Sequence, residues 1–413
     1  MRRAGQPSAI IVAMDASGTA PKIGFPSVLA HAFFLQGAVY LVRPATSYRA
    51  LELGVDPGLL GLVVASFSIL PVFLAIAIGR ATDRGHEKQV LLGGAGLMLA
   101  SGAGLLFAAP SLPALLGWNV VLGVGHLMSI IGEQSRLASA NARNMDRVFG
   151  FYTMVTAVAQ AAAPLLLGFL GGAAVNPDTA VLLRAYLLAT AAMLVATFPM
   201  VRHSVPVAPG GSNAPVKLGT ALKVEPAARN TLIASIGLSM MVLCSIDLLQ
   251  VYLPALGVER GIPTQTIGGL LALRAAATVL SRLGMDRLVR AVGRARLLLV
   301  STGASALLVG LLVLDLPVPA MAALLAAAGL GLGLGQPLSM TVVSTAATEG
   351  TRGTWMSIRL LGNRLGQAVI PVGVGVFATS MGAGGVFLVL GTLMGAATLG
   401  SIAPLRTLRK RSD

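Results

Sequence analysis

The fold is decided by an uncharged run at residues 57–79, PGLLGLVVASFSILPVFLAIAIG, and by the segment RATDRGHEK that follows at residues 80–88. The run is long enough to cross a bilayer as a helix, because about 20 apolar residues span the hydrocarbon core. The charged segment after it is too costly to place in that core. Together the two segments predict a transmembrane helix that ends in a charged loop at a membrane surface.

The same alternation of apolar runs and short polar loops continues along almost all of the 413 residues. Charged residues make up 11% of the chain, whereas a soluble domain carries about 25%. Lipid is therefore the expected solvent for most of the surface. We predict an all-α integral membrane fold with twelve transmembrane helices, near residues 24–47, 57–79, 89–109, 112–135, 148–171, 179–201, 230–254, 264–283, 296–314, 318–344, 355–378 and 381–404.

Basic residues concentrate in every second loop, and this bias predicts the orientation of the helices. The basic loops contain Arg80, Arg136, Lys217, Arg287 and, at the C-terminus, Arg409. Because cytoplasmic loops carry such an excess, we expect both termini in the cytoplasm of a multi-pass protein of the bacterial inner membrane. This topology also accounts for the net charge of +15, so we do not expect nucleic-acid binding.

One long polar segment interrupts the apolar pattern. It contains Pro206, Pro209, Gly210, Gly211 and Pro215, a composition typical of linkers. It divides the chain into two bundles of six helices. The expected organisation is a cytoplasmic tail at 1–23, an N-terminal bundle at 24–201, a cytoplasmic linker at 202–229, a C-terminal bundle at 230–404 and a cytoplasmic tail at 405–413.

The two halves repeat one another in sequence, with four echoes in the same order. The matching pairs are 53–58 with 256–261, 83–84 with 286–287, 122–125 with 332–335, and Gln160, Pro164 and Gly168 with Gln367, Pro371 and Gly375. Duplicated six-helix bundles place a substrate site near the membrane midplane between the halves. The repeat therefore predicts a two-bundle architecture with a central site.

On these residues the chain resembles the major facilitator superfamily of secondary transporters over essentially its whole length. The resemblance is carried by a glycine, aspartate–arginine and basic signature after the second helix and by its copy in the second half: Gly79, Asp83, Arg84, Lys88, Asp286 and Arg287. It implies that these loops act as gates, because ion pairs at helix ends can hold one transport state and release it in the other. It also implies that helices 3, 6, 9 and 12 face lipid. Asn119 stands where the family often has an arginine, so that arginine's role in proton coupling does not carry over.

Polar side chains inside the predicted spans are costly in lipid and are candidates for the central cavity. They recur at helical spacing on helices 1, 4, 5, 7, 8 and 11. The candidates are Gln36, Tyr40, Arg43, Asn119, His126, Tyr152, Gln160, Asp247, Arg274, Arg359, Asn363 and Gln367. For the uncharged members the alternative is hydrogen bonding between packed helices. For the arginines we expect a cavity or an ion pair.

Asp247 is the acidic residue that lies deepest in a predicted span, and it is the first candidate for a proton carrier. By the repeat, Arg43 and Asp247 occupy near-equivalent sites on helices 1 and 7, so we expect them to make contact in an inward-open state. Glu133 is the second proton candidate, and its proximity in sequence to Arg136 predicts local pairing. Arg364 is expected on a different face of helix 11 from Arg359.

The sequence favours a proton-coupled secondary transporter that works by alternating access. The basic cavity residues favour an anionic or amphipathic organic solute. Ala163-Pro164 and Gly168 resemble weakly a helix-5 pattern of proton-driven exporters, so export is favoured, with import of an organic anion as the alternative. We expect small-molecule substrate, protons and the lipid bilayer as partners, no cofactor and a monomer.

Two other classes of protein fit the sequence less well. An enzyme is not expected, because the four histidines lack ligand spacing and no phosphate-binding GxxxxGK[ST] loop occurs in the sequence. The glycine-rich run 329–335 falls in mid-helix, where close helix packing explains it. A non-transporting membrane receptor on the same scaffold remains a remote alternative, since a fold alone does not decide function.

Overall fold

The computed structural model describes residues 25–140, 145–202, 225–347 and 352–412, and in these ranges the chain is helical with no strand. Eleven of the described helices are long and apolar enough to cross a membrane. The first ten that we number are α1 Phe25–Glu52, α2 Leu60–Asp83, α3 Glu87–Phe107, α4 Leu112–Ala140, α5 Met145–Gly171, α6 Thr179–Arg202, α7 Pro226–Glu259, α8 Thr264–Leu283, α9 Arg294–Gly310 and α10 Val318–Ala346.

The last helical element, Arg352–Ser412, consists of two helices that meet at Gly382. Gly382 has φ 68° and ψ −179°, a backbone conformation that essentially only glycine adopts. The Glu259 carboxylate accepts hydrogen bonds from the freed Ala383 N–H at 2.8 and 2.9 Å. We therefore distinguish α11, residues 352–381, from α12, residues 383–412. The predicted all-α membrane fold with twelve helices is confirmed.

Several helices extend beyond the ends that hydropathy predicts. α1 continues to Glu52 and α7 covers Pro226–Glu259, since a helix can run on into polar surroundings after it leaves the apolar region. The loop between α8 and α9 holds a short surface helix, Met285–Val292, that the apolar pattern could not predict. None of its residues is buried.

Equivalent helices pack in the same way in the two halves. The α3–α4 and α2–α4 contacts of the first half correspond to α9–α10 and α8–α10 in the second. The α1–α5 contact has its counterpart in α7–α11, where Gln367 reaches Asp247. The sequence repeat is thus also a repeat of helix packing.

The halves meet along α1–α7, α2–α7, α2–α11 and α5–α8. Two of these contacts bring backbones unusually close at glycines. A β-carbon on Gly61 would lie 2.1 Å from the Pro371 carbonyl oxygen, and one on Gly268 would lie 2.4 Å from the Pro164 carbonyl oxygen. Both sites lie near the end of the bundle opposite Phe25 and Ser412, where the described chain begins and ends, and we call it the loop end.

The opposite end, where the described chain begins, is packed differently. Neither α4 nor α5 packs extensively against α10 or α11 within the ranges that the structure covers. The two halves are therefore joined most tightly at the loop end. This asymmetry places the central polar residues below a closed end of the bundle.

Candidate functional site

An ion pair joins the two halves at the centre of the α1–α7 contact. Arg43 Nη1 lies 3.1 Å from Asp247 Oδ1, and the two side chains are 5% and 8% exposed. One helical turn nearer the loop end, the Ser47 hydroxyl donates to the Val251 carbonyl oxygen at 2.6 Å. Residues four apart share a helix face, so the two contacts hold α1 and α7 in one register. The contact predicted between Arg43 and Asp247 is present.

Asp247 also accepts a hydrogen bond from α11, a second helix of the C-terminal half. Gln367 Nε2 on α11 donates to Asp247 Oδ2 at 2.6 Å. Both carboxylate oxygens therefore have a partner, one from each half of the protein. A buried carboxylate needs such partners, because leaving it unpaired in a low-dielectric interior is strongly destabilising.

Aromatic rings cover the other side of the Arg43 guanidinium. Its Cζ lies 4.8 Å from the centre of the Phe67 ring, within the range of a cation–π contact. The His126 ring lies 5.3 Å from the Phe67 ring, measured between centroids. Neither ring nitrogen of the buried His126 has a hydrogen-bond partner among the described residues. Helices α2 and α4 thus bring Phe67 and His126 to the Arg43 site.

Arg274 enters the same region from α8. Its side chain is buried, forms a hydrogen bond with the Tyr40 hydroxyl and interacts electrostatically with Asp247. Tyr40 lies three residues before Arg43 on α1, so both share a face. The Arg274 Nε atom has no hydrogen-bond partner in the described part of the chain.

Arg364 also reaches this region, although the sequence pattern did not place it there. It is half-buried on α11, three residues before Gln367, and it interacts electrostatically with Asp247 and Arg43 and with the His126 ring. The spacing from Gln367 was the available signal, since residues three apart on a helix are neighbours. Comparison with Arg359 did not indicate this position, because Arg359 itself bonds to α10 and not to Asp247.

Arg359 has a different environment from the other candidate arginines. Its guanidinium donates to the Gln336 side-chain oxygen at 2.7 Å and to the Ser339 hydroxyl at 3.0 and 3.2 Å, all on α10. Gln336 in turn donates to the Ser239 carbonyl oxygen on α7 at 2.7 Å. Arg359 therefore ties three helices of the second half together through its Nε and Nη2 atoms.

The uncharged candidates mostly bond between neighbouring helices of the first half. Gln160 Nε2 lies 3.2 Å from Gln36 Oε1 and links α5 to α1. Asn119 Nδ2 donates to the Val63 carbonyl oxygen at 3.4 Å and links α4 to α2. Asn363 is buried on α11, and its side-chain oxygen has no partner among the described residues. For Gln36, Gln160 and Asn119 the alternative of helix–helix hydrogen bonding fits the geometry.

Glu133 lies in a separate buried cluster nearer the termini. His31 Nδ1 is 2.5 Å from Glu133 Oε1, and the Tyr152 hydroxyl donates to Oε2 at 2.8 Å. The predicted local pairing with Arg136 is wrong, because Arg136 Nη1 instead faces Glu87 Oε1 at 3.5 Å. Proximity in sequence misled here, since residues 133 and 136 diverge to partners on different helices.

The predicted gating loops lie at the same end as Glu133. Gly79 is half-buried near the end of α2, and the charged members of the two loops are exposed: Asp83, Arg84, Lys88, Asp286 and Arg287. Neither aspartate makes an ion pair with another described residue. An ion pair at that end, Glu87–Arg136, joins α3 to α4 within the first half.

The described residues contain no group of three or more His, Cys, Asp or Glu side chains that could hold a metal ion. Electrostatically, the central region is dominated by Arg43, Arg274 and Arg364 around the single carboxylate of Asp247. Such an arrangement can attract a charged solute.

Comparison with solved structures shows the same fold at low sequence identity. The nucleoside transporter NupG is 14% identical with a TM-score of 0.74, covering 92% of this chain and 98% of that one. A POT family transporter solved with a thioalcohol-conjugated peptide is 16% identical with a TM-score of 0.72, covering 91% and 94%. A D-xylose-proton symporter is 15% identical with a TM-score of 0.72, covering 92% and 97%.

No curated protein sequence matches the chain. A family model described as the Major Facilitator Superfamily matches residues 28–314 and 236–413, which together include nearly all of the described helices. The chain belongs to the Major Facilitator Superfamily.

Proposed function

We propose that this transporter couples proton movement to the export of a small organic solute by alternating access. The observation that carries the proposal is the bridge from Arg43 on α1 through Asp247 on α7 to Gln367 on α11. It joins the two halves through a carboxylate that a proton can neutralise. The charge state of one buried group is thereby linked to the contact between the moving parts.

The orientation follows from the loop charges. The described basic loop residues, such as Arg84, Lys88 and Arg287, lie at the end of the bundle where the described chain begins and ends, and we infer that this end is cytoplasmic. The tight contacts at the loop end then close the periplasmic side, so the structure corresponds to an inward-open state. The protein acts in this proposal as a monomer of the inner membrane and needs no cofactor.

Protonation of Asp247 removes the charge that holds Arg43. An ion pair between buried groups loses most of its attraction when one partner becomes neutral. The α1–α7 contact therefore weakens while Asp247 is protonated. In an exchange of proton for solute, Asp247 takes up its proton while the loop end is open and releases it on the opposite side, where the Arg43–Asp247 pair of this structure re-forms. Glu133, buried with His31 and Tyr152 near the cytoplasmic end, is the second group proposed to carry a proton.

Import of an organic anion with a proton is the second candidate. A symporter also needs a carboxylate whose charge controls the contact between the halves, and one structural relative is a D-xylose-proton symporter. Export is preferred because Pro164 and Gly168, the pattern that resembles helix 5 of exporters, form the close contact with Gly268 on α8. The two directions differ in the sign of the proton movement that the solute causes.

The test uses everted membrane vesicles whose lumen is acidified by respiration and followed with a pH-sensitive dye. Small carboxylates, amines and neutral solutes are added outside, on the cytoplasmic face. An exporter exchanges solute for luminal protons, so its substrate raises the luminal pH, whereas a symporter working as an importer gives no rise.

The variant Asp247→Asn should abolish the pH response of the vesicles. Asp315→Asn is the matched control, because Asp315 is 94% exposed and lies in the loop-end segment between α9 and α10. A full response in the Asp247→Asn protein would contradict the proposed coupling role.

A further inference from the structure

The central site carries more positive charge than its own residues neutralise. Arg43, Arg274 and Arg364 all interact electrostatically with Asp247, the one carboxylate among them. Asp247 forms its ion pair with Arg43. Arg274 and Arg364 make no ion pair with any residue in the described ranges. The site therefore holds an excess of two positive charges.

Unused hydrogen-bonding groups gather at the same place. Arg43 Nη2, Arg274 Nε and both ring nitrogens of His126 are buried without a partner in the described ranges. Buried polar atoms in folded proteins are paired in more than about 90% of cases, so a local group of open atoms requires an explanation. A bound solute that accepts hydrogen bonds would satisfy the open arginine donors.

Arg359, which lies on α11 like Arg364, differs from it in its hydrogen bonding. It is as buried as Arg43, yet its guanidinium is engaged by Gln336 and Ser339. The structure therefore separates an arginine that packs helices together from Arg364, for which the described residues supply neither a hydrogen bond nor an ion pair. Charge alone, read from the sequence, does not make this distinction.

We propose that Arg364 and Arg274 bind the transported solute through its negative groups, and that this solute is a small organic dianion. Arg364 donates from α11 and Arg274 from α8, so the anion lies between two helices of the second half and faces Arg43 on the first. A guanidinium fork matches a carboxylate or phosphate with two parallel hydrogen bonds. This inference rests on the proposed function, because it names the substrate class of the same central site.

The contribution of Arg364 goes beyond its charge. It lies three residues from Gln367, which holds Asp247, so an anion on Arg364 also sits close to the coupling carboxylate.

The experiment measures ligand binding to the purified full-length protein by the shift in its thermal unfolding temperature. The probes are succinate, acetate, succinamide and putrescine at equal concentration and constant ionic strength. Succinate and succinamide have similar shape but differ in charge, and putrescine carries two positive charges. The expected order of stabilisation is succinate above acetate, with no shift for succinamide or putrescine.

Three variants connect the shift to the residues. Arg364→Gln and Arg274→Gln should each weaken succinate binding about tenfold or more, since each removes a charge-assisted contact. Arg364→Lys should retain part of the affinity, because it keeps the charge and loses the fork. Arg359→Gln should bind succinate as the unchanged protein does, although its unfolding temperature without ligand is lower.

The outcomes separate this inference from the transport proposal. Three outcomes would each overturn the dianion site. They are stabilisation by putrescine alone, no stabilisation by either carboxylate up to about 10 mM, and full succinate binding in a folded Arg364→Gln protein. These measurements need no proton gradient. Succinate binding without any proton movement in vesicles would leave the site standing and remove the coupling mechanism.

Discussion

The close contact between Gly268 on α8 and Pro164 on α5 gives the sharpest prediction about the closed end. A β-carbon at Gly268 would lie 2.4 Å from the Pro164 carbonyl oxygen and 2.7 Å from Gly168 Cα, so Gly268→Ala forces the two halves apart. Overpacking of this kind costs about 1–3 kcal/mol. Because the contact belongs to the loop-end-closed state, the cost shifts the equilibrium toward the loop-end-open state by about 5- to 150-fold.

Gly269→Ala is the matched control, since a β-carbon at Gly269 meets no atom within 4 Å. The assay is a spin-label distance between Asn176→Cys and Asp315→Cys, both at the loop end, with Cys244→Ala removing the native thiol. The distance distribution should gain a longer component in Gly268→Ala and should not change in Gly269→Ala. Identical distributions in the two variants would refute the closed-end interpretation of these glycines.

Three further predictions concern stability and can be measured as thermal unfolding of the purified protein. Tyr152→Phe removes one of the two hydrogen bonds to the buried Glu133 and should destabilise the protein by about 1–3 kcal/mol, with an unchanged unfolding temperature arguing against that bond. Glu259→Gln should lower stability less than Glu259→Ala, because the amide oxygen can still accept from the Ala383 N–H; equal losses would mean that the cap contributes nothing. Arg359→Gln should destabilise by about 1–3 kcal/mol while the succinate shift persists, and loss of that shift would place Arg359 at the substrate.

Much of the architecture follows from local chemistry. Uncharged runs of spanning length predict helices wherever they occur, and the break at Gly382 falls at the second residue of the predicted twelfth helix, close to its boundary with the eleventh. The Arg43–Asp247 contact was predictable because the repeat relates the two positions. Two opposite charges that are buried on equivalent helices of a pseudosymmetric bundle are expected to pair, because an unpaired buried charge is destabilising.

The partners of single side chains were less predictable. Glu133 bonds to His31, which is 102 residues away in sequence, and no local pattern specifies such a pair. Arg359 and Arg364 have the same chemistry on the same helix, yet only the neighbouring α10 residues decide that Arg359 is engaged. Helix rotation of a fraction of a turn determines these contacts, and a sequence pattern does not give the rotation.

The bond from Glu259 to Ala383 has a mechanical consequence. It couples the loop end of α7 to the first turn of α12, whose outer face carries exposed apolar residues such as Leu388 and Leu399. A tilt of α7 would therefore be transmitted to a helix in contact with lipid. The thickness and lateral pressure of the bilayer would then act as a load on the transport cycle, and the rate of the cycle would depend on lipid chain length.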